Sequence, residues 1–272
     1  MQASSPLSAP LSAPEMAAFC AFAQTLADRA RPLSQKWFRH PLAVDTKADE
    51  SPVTQADREV EAALREAIAG HHPDHGILGE EFGALRTEAD LVWSLDPIDG
   101  TRAFISGNPL WGTLLGLLQR GRPVLGVIDI PMLDERWVGA AGSPTRLNGV
   151  PCRVSTCTEL RQAVLYATSP DIFNDAELAA FDALARAVRM RRYGGDCYSY
   201  GLLASGHVDL VVEAGLQPYD YLALMPVIEG AGGVITDWAG QPLGLQSQGR
   251  VIAAATQPLH RQAMQLLAAA MS

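Results

Sequence analysis

The chain has 272 residues, 48% hydrophobic and 19% charged, so it is long enough for two packed lobes and too apolar for a disordered segment. Its formal net charge of −9 argues against nucleic acid or an anionic membrane as the principal partner. The four cysteines (Cys20, Cys152, Cys157 and Cys197) are scattered and lack zinc-finger spacing, which fits free thiols in a reducing compartment.

The opening MQASSPLSAPLSAP has neither a basic start nor a long apolar core, so it is not read as a signal peptide. Residues 1–14 are expected to be a disordered N-terminus, and a cytoplasmic location follows as the expectation. No apolar run reaches membrane-spanning length. From Glu15, apolar positions at Phe19, Phe22, Ala23, Leu26, Ala30 and Leu33 mark one helical face, with Pro32 expected to kink or divide it. Residues 45–51 (DTKADES) read as a polar loop. Thr54 and Asp57 then resemble a capping box that opens a helix to about Gly70. The segment HHPDHG at 71–76 invites a metal reading, but histidines in a Pro/Gly loop are expected to be solvated. Ile77 and Leu78 form a short strand that delivers Glu80 and Glu81.

The stretch 91–104, LVWSLDPIDGTRAF, is the most informative. Leu91, Val92, Trp93 and Leu95 read as a buried strand that ends at Asp96, and Asp99 follows three residues later. A tight turn of that spacing can aim both carboxylates at one point, which calls for a cation, with Mg²⁺ the obvious choice. The N–H groups of Gly100 and Thr101 would open a helical turn and suit an anion. A hard-cation site beside a phosphate-sized site suggests metal-assisted phosphoryl chemistry.

Beyond it, 111–118, 124–130 and 136–140 read as an antiparallel meander, and Asn148-Gly149 marks a further hairpin. After 155–159 helices and strands alternate in a βαβ manner. The expected elements are a strand at 163–168, a helix at 175–188, an extended piece at 191–193 and a helix at 197–205. A strand at 208–213, a helix at 219–230, a strand at 251–255 and a closing helix at 260–270 complete the chain.

DPIDGT, preceded by SPVTQAD at 51–57 and Gly79-Glu80-Glu81 and followed by Pro218-Tyr219-Asp220, resembles the inositol monophosphatase family of Mg²⁺-dependent phosphomonoesterases. The resemblance runs from about Lys47 to the C-terminus. It implies an α/β fold, layered as an αβαβα sandwich: an α+β lobe over 15–154 with the main metal motif, and an α/β lobe over 155–272. It also implies a metal-ligand set of Glu80, Asp96, the Ile98 carbonyl, Asp99 and Asp220. These would hold two or three Mg²⁺ ions, with Mn²⁺ able to substitute, in a cleft between the lobes. Asp220 alone could simply favour a helix dipole, and Tyr219 and Leu222 depart from the family's usual W-D-x-A-A. Thr101 and Glu80 would position the attacking water, Asp57 would act at the metal centre or serve only as a cap, and Lys47 would lie on a mobile loop nearby. Hydrolysis would be direct, and the family's habit suggests a homodimer.

For the substrate alcohol, Glu213 matches an acidic position that binds hydroxyls in inositol phosphatases. Asp196 stands where those enzymes carry a small residue, and it reads equally well as an N-cap. Two carboxylates would suit a cationic alcohol, and RYGGDCYSYGLL with AFISGNPLWGTLLGL resembles the histidinol-phosphatase branch. Histidinol phosphate is therefore the leading substrate. Inositol-1-phosphate or another small sugar phosphate is the alternative, and a non-catalytic metal- or phosphate-binding regulatory protein is the alternative from another class.

Overall fold

The computed structural model describes residues 9–41, 44–46 and 52–271. In chain order the elements are α1 (Ala13–Trp37), β1 (Val44–Thr46), β2 (Pro52–Thr54), α2 (Gln55–His71), β3 (Gly76–Gly79), β4 (Gly83–Leu85), β5 (Leu91–Asp99), α3 (Thr101–Ile105), β6 (Gly112–Gln119), β7 (Arg122–Ile130), β8 (Glu135–Ala140), β9 (Ser143–Leu147) and β10 (Val150–Pro151). The second half supplies β11 (Val164–Ala167), α4 (Asp175–Ala187), β12 (Met190–Tyr193), α5 (Asp196–Ala204), β13 (Leu210–Glu213), α6 (Pro218–Tyr221), α7 (Leu224–Gly230), β14 (Val234–Thr236), β15 (Val251–Ala254) and α8 (Gln257–Met271). The readings of Lys47 and of the Thr54 side chain as a cap lie outside the described residues, as do residues 1–8.

The expected meander forms the heart of an eight-stranded sheet with strand order β10-β9-β8-β7-β6-β5-β3-β4, antiparallel except for β3 beside β5. A five-stranded sheet, β12-β11-β13-β15-β14, carries the second lobe. It is less parallel than the βαβ reading implied: β11 pairs in parallel with β12 and β13, but β15 runs antiparallel to both its neighbours. The layers are α1 and α2, the larger sheet, then α5, α6 and α7, the smaller sheet, and finally α4 and α8. This is the expected αβαβα sandwich.

Three apolar clusters fill the spaces between layers, and each large aliphatic side chain that is fully buried contributes roughly 1.5–3 kcal/mol. The middle cluster joins Leu114, Ile128 and Trp137 of the first lobe to Tyr200, Tyr221 and Val227 of the second, so the lobes share one core. Trp137 Nε1–H donates to Ser205 Oγ at 2.8 Å, and the Thr145 hydroxyl donates to the Val227 carbonyl at 2.7 Å, across the same boundary.

The helix α1 starts two residues before the expected Glu15, because the Glu15 carboxylate accepts the Ser12 N–H at 2.8 Å. Ahead of it, the Leu11 N–H donates to Gln119 Oε1 at 3.3 Å. Pro32 neither ends nor divides α1, which continues to Trp37. Arg31 and Arg136 fix the helix to the sheet by converging on Asp129, which is fully buried on β7; Arg31 Nε donates at 2.8 Å and Arg136 Nε at 2.6 Å.

Several expectations need correction. The helix expected at 219–230 is two helices, α6 and α7, because Pro226 has no N–H to return to the Leu222 carbonyl. The histidines of 71–76 are not simply solvated: His72 and His75 stack at 4.5 Å between ring centroids, and both lie against Phe19. The short strands β1, β2, β4 and β14 were not anticipated, and β1 includes Asp45 and Thr46 of the expected polar loop.

Candidate active site

The strand β5 does not run out at Asp96 but continues through Pro97 to Asp99. Asp96 faces Leu114 and Asp99 faces Gly112 on β6, so three steps on one strand meet two on the other. In a regular strand, residues three apart point to opposite faces; the extra residue brings both carboxylates to one side. The Thr113 hydroxyl, fully buried, donates to the Pro97 carbonyl at 2.8 Å and holds this bulge. Within it, the Ile98 N–H donates to Asp96 Oδ1 at 3.1 Å, and Thr101 Oγ1 donates to the Ile98 carbonyl at 3.1 Å.

Asp220 comes from the other lobe, in the single turn α6, where its Oδ2 accepts the Gln217 N–H at 2.7 Å. Asp96, Asp99 and Asp220 each bring a carboxylate oxygen within 4.8 Å of the other two. Burial first, then Glu80, Asp99 and Asp220, push the Asp96 carboxyl well above the usual carboxylate range. Burial and Asp220 raise Asp99 to about 7. Such a set is costly without a cation, and its donors are all oxygens, so it could hold a hard divalent ion.

Glu80 stands beside Asp96, because β3 runs parallel to β5 and the Glu80 N–H donates to the Leu95 carbonyl at 3.2 Å. A buried carboxylate that sequence reasoning missed, Glu61 on α2, accepts the Glu81 N–H at 2.6 Å and the Phe82 N–H at 3.2 Å. It fixes the loop that carries Glu80. A Cβ at Gly79 would fall 2.0 Å from Glu61 Oε1, so a larger residue there would push the Glu61 carboxylate off the loop it holds. Asp57 is buried in the first turn of α2 and is not one of the three converging carboxylates.

Gly100 has φ +83° and opens α3, and the Phe104 N–H returns to its carbonyl at 2.9 Å. Against it lies Asp196, whose carboxylate carbon is 3.0 Å from where a Gly100 Cβ would sit. Asp196 is not the N-cap of its helix: Gly195 holds that position, and Asp196 is the first helical residue, with φ +44°. The helix is capped from the other lobe, since the Cys197 N–H donates to Asp99 Oδ2 at 2.6 Å. Burial, Asp99 and Glu213 push Asp196 up to about 8. Glu213, also buried, accepts the Thr168 N–H and the Tyr200 hydroxyl, each at 2.9 Å, and the Thr168 hydroxyl as well. Asp99, Asp196, Glu213 and Asp220 line one small cavity of about 80 Å³ between the lobes. Sequence reasoning missed Thr168 and Tyr200, because neither lies near Glu213 along the chain.

Over 266 residues the chain is 46% identical to the bifunctional phosphatase IMPL2, chloroplastic, of Arabidopsis thaliana, covering 94% of this chain and 77% of that one. It is 39% identical to a histidinol-phosphatase of Mycobacterium tuberculosis, covering 80% and 86%. A solved inositol monophosphatase from Zymomonas mobilis superposes with a TM-score of 0.87 at 45% identity, covering 95% of this chain and all of that one. The family model described as the inositol monophosphatase family matches residues 15–272, and the chain belongs to that family of phosphatases.

Proposed function

We propose that this phosphatase hydrolyses L-histidinol phosphate to L-histidinol and phosphate, with Mg²⁺ as its cofactor. The observation that carries the reading is the Asp196 carboxylate, set against Gly100 and sharing a cavity with Glu213. Two acidic groups beside the phosphate-facing loop favour an alcohol that carries positive charge, and histidinol has an ammonium and an imidazole. The names of the M. tuberculosis relative and of a Chlorobaculum parvum histidinol-phosphatase, 36% identical, support it.

In this reading Glu80, Asp96, the Ile98 carbonyl, Asp99 and Asp220 hold two or three ions. When bound, Mg²⁺ supplies a Lewis acid for the phosphoryl oxygens and lowers the pKa of water. The Gly100 and Thr101 N–H groups face the phosphate oxygens. Glu80 and the Thr101 hydroxyl orient the attacking water, and Asp57 supports the centre from α2. Glu213 and Asp196 receive the cationic end of the alcohol.

Inositol-1-phosphate is the second reading. It is favoured by the likeness to the Z. mobilis inositol monophosphatase and by Glu213, whose oxygens can also accept polyol hydroxyls. Phosphate release with Mg²⁺ should be compared for histidinol phosphate, inositol-1-phosphate and adenosine 3′,5′-bisphosphate. A higher kcat/KM for inositol-1-phosphate would remove the histidinol assignment. The proposal includes a cytoplasmic location, in keeping with four free cysteines, and a homodimer, for which sedimentation showing only monomer at micromolar concentration would count against it.

A further inference from the structure

A second concavity lies away from the carboxylate cleft and shares none of its residues. It is a cavity of about 780 Å³ between the C-terminal end of α8 and the loop 237–250. That volume falls in the range of sites that enclose drug-sized molecules. Its walls are mainly apolar, with Trp238, Pro242, Leu245, Leu267 and Met271 among them, and Arg250 stands on one side.

The loop that forms the cavity is fixed at several points. Asp237 Oδ1 accepts the Ala239 and Gln241 N–H groups at 2.9 and 2.7 Å, which closes the first turn. The Tyr221 hydroxyl donates to the Gly244 carbonyl at 2.8 Å, and the Leu216 N–H donates to the Gly249 carbonyl at 3.1 Å. Trp238 Nε1–H donates to the Val251 carbonyl at 3.2 Å, so the indole is held with its polar edge satisfied. A cavity whose wall is tied down in this way is preformed, and a ligand would bear little of the ordering cost.

The chemistry of the walls selects the ligand. Arg250 gives its Nε–H to Glu177 at 2.6 Å, which leaves the other guanidinium donors, and the group sits 6.0 Å from the Trp238 ring. Apolar walls that include the Trp238 indole suit an aromatic or fused-ring body, and the guanidinium suits one anionic group. The Asp237 carboxylate on the same rim disfavours a second negative charge. We propose that this cavity is a binding site for a flat aromatic monoanion, such as an aromatic carboxylate, separate from the phosphatase cleft.

The probe is 8-anilinonaphthalene-1-sulfonate, titrated into the full chain without metal or substrate, so the outcome is independent of the phosphatase reading. Saturable fluorescence enhancement at one probe per chain is expected. Ala268→Trp adds bulk to the cavity from the exposed face of α8, and Arg250→Met removes the charge; each should weaken the probe at least tenfold. Circular dichroism would verify that both variants fold, and Ala268→Trp, at an exposed helix position, does not disturb the ion pair to Glu177. Enhancement that fails to saturate, or that is the same in wild type and Ala268→Trp, would overturn the proposal.

Discussion

Asp96 sits at the convergence of Glu80, Asp99 and Asp220, with its side chain almost wholly buried. Asp96→Asn keeps the shape and removes the charge, so it should lower kcat by several orders of magnitude while circular dichroism stays native. Wild-type turnover would reduce the bulge to a structural turn. Asp196 answers a different question. If it holds a cationic alcohol, Asp196→Asn should weaken productive binding of histidinol phosphate by about 1–3 kcal/mol and affect inositol-1-phosphate less. The measurement is the ratio of the two kcat/KM values, and an unchanged ratio would leave Asp196 without a role in specificity. The Asp96/Asp99 pair was legible because its partners lie three residues apart on one strand. Glu61 was not, because it acts on a loop twenty residues away, and nothing local in REVEAALR distinguishes it from a surface glutamate.

At the scale of elements, regular alternation and turn chemistry made the meander readable, and Asn148 and Gly149 do sit at positive φ between β9 and β10. The three-residue strands β4 and β14 are too short to leave such a pattern. The histidine loop was misread because its burial comes from α1, fifty residues upstream. The Trp93 indole N–H donates to His75 Nδ1 at 3.1 Å, which requires that nitrogen to be unprotonated. Burial, then His72, lowers the His75 pKa from 6.5 to about 4, with Asp74 opposing; His71 and Arg86 are the other charged or titratable neighbours. Between those two values the unfolded chain binds the proton and the folded one does not. Stability therefore falls as pH drops from about 6.5 toward 4, and below that the contribution is gone. His75→Asn retains an acceptor for Trp93 without the titration, so its Tm should decline less than that of wild type over this interval. Parallel Tm profiles for the two proteins would sink the idea.

The whole molecule is arranged so that its least comfortable charges meet where the lobes meet. Asp96 and Asp99 stand on the larger sheet and Asp220 on the helical layer between the sheets, yet their oxygens lie within 4.8 Å. Without a cation these charges work against the shared core; with one, the same groups join the lobes. A ligand that binds only the folded state adds RT ln(1 + [L]/Kd), about 2.7 kcal/mol at a hundredfold excess over Kd. For a chain of this size, that corresponds to a rise in Tm of roughly 5 °C. Mg²⁺ should therefore raise the Tm of wild type by about that amount, and chelation should reverse it together with activity. Asp220→Asn sharpens the test, because the amide oxygen can still accept the Gln217 N–H while one of the three charges is gone. Its metal-free form should melt at or above the metal-free wild type, and its gain from Mg²⁺ should be smaller. A wild-type Tm that ignores Mg²⁺ at every concentration, or a metal-free Asp220→Asn protein that melts well below wild type, would show that the three carboxylates are a structural cluster rather than a cation site between the lobes.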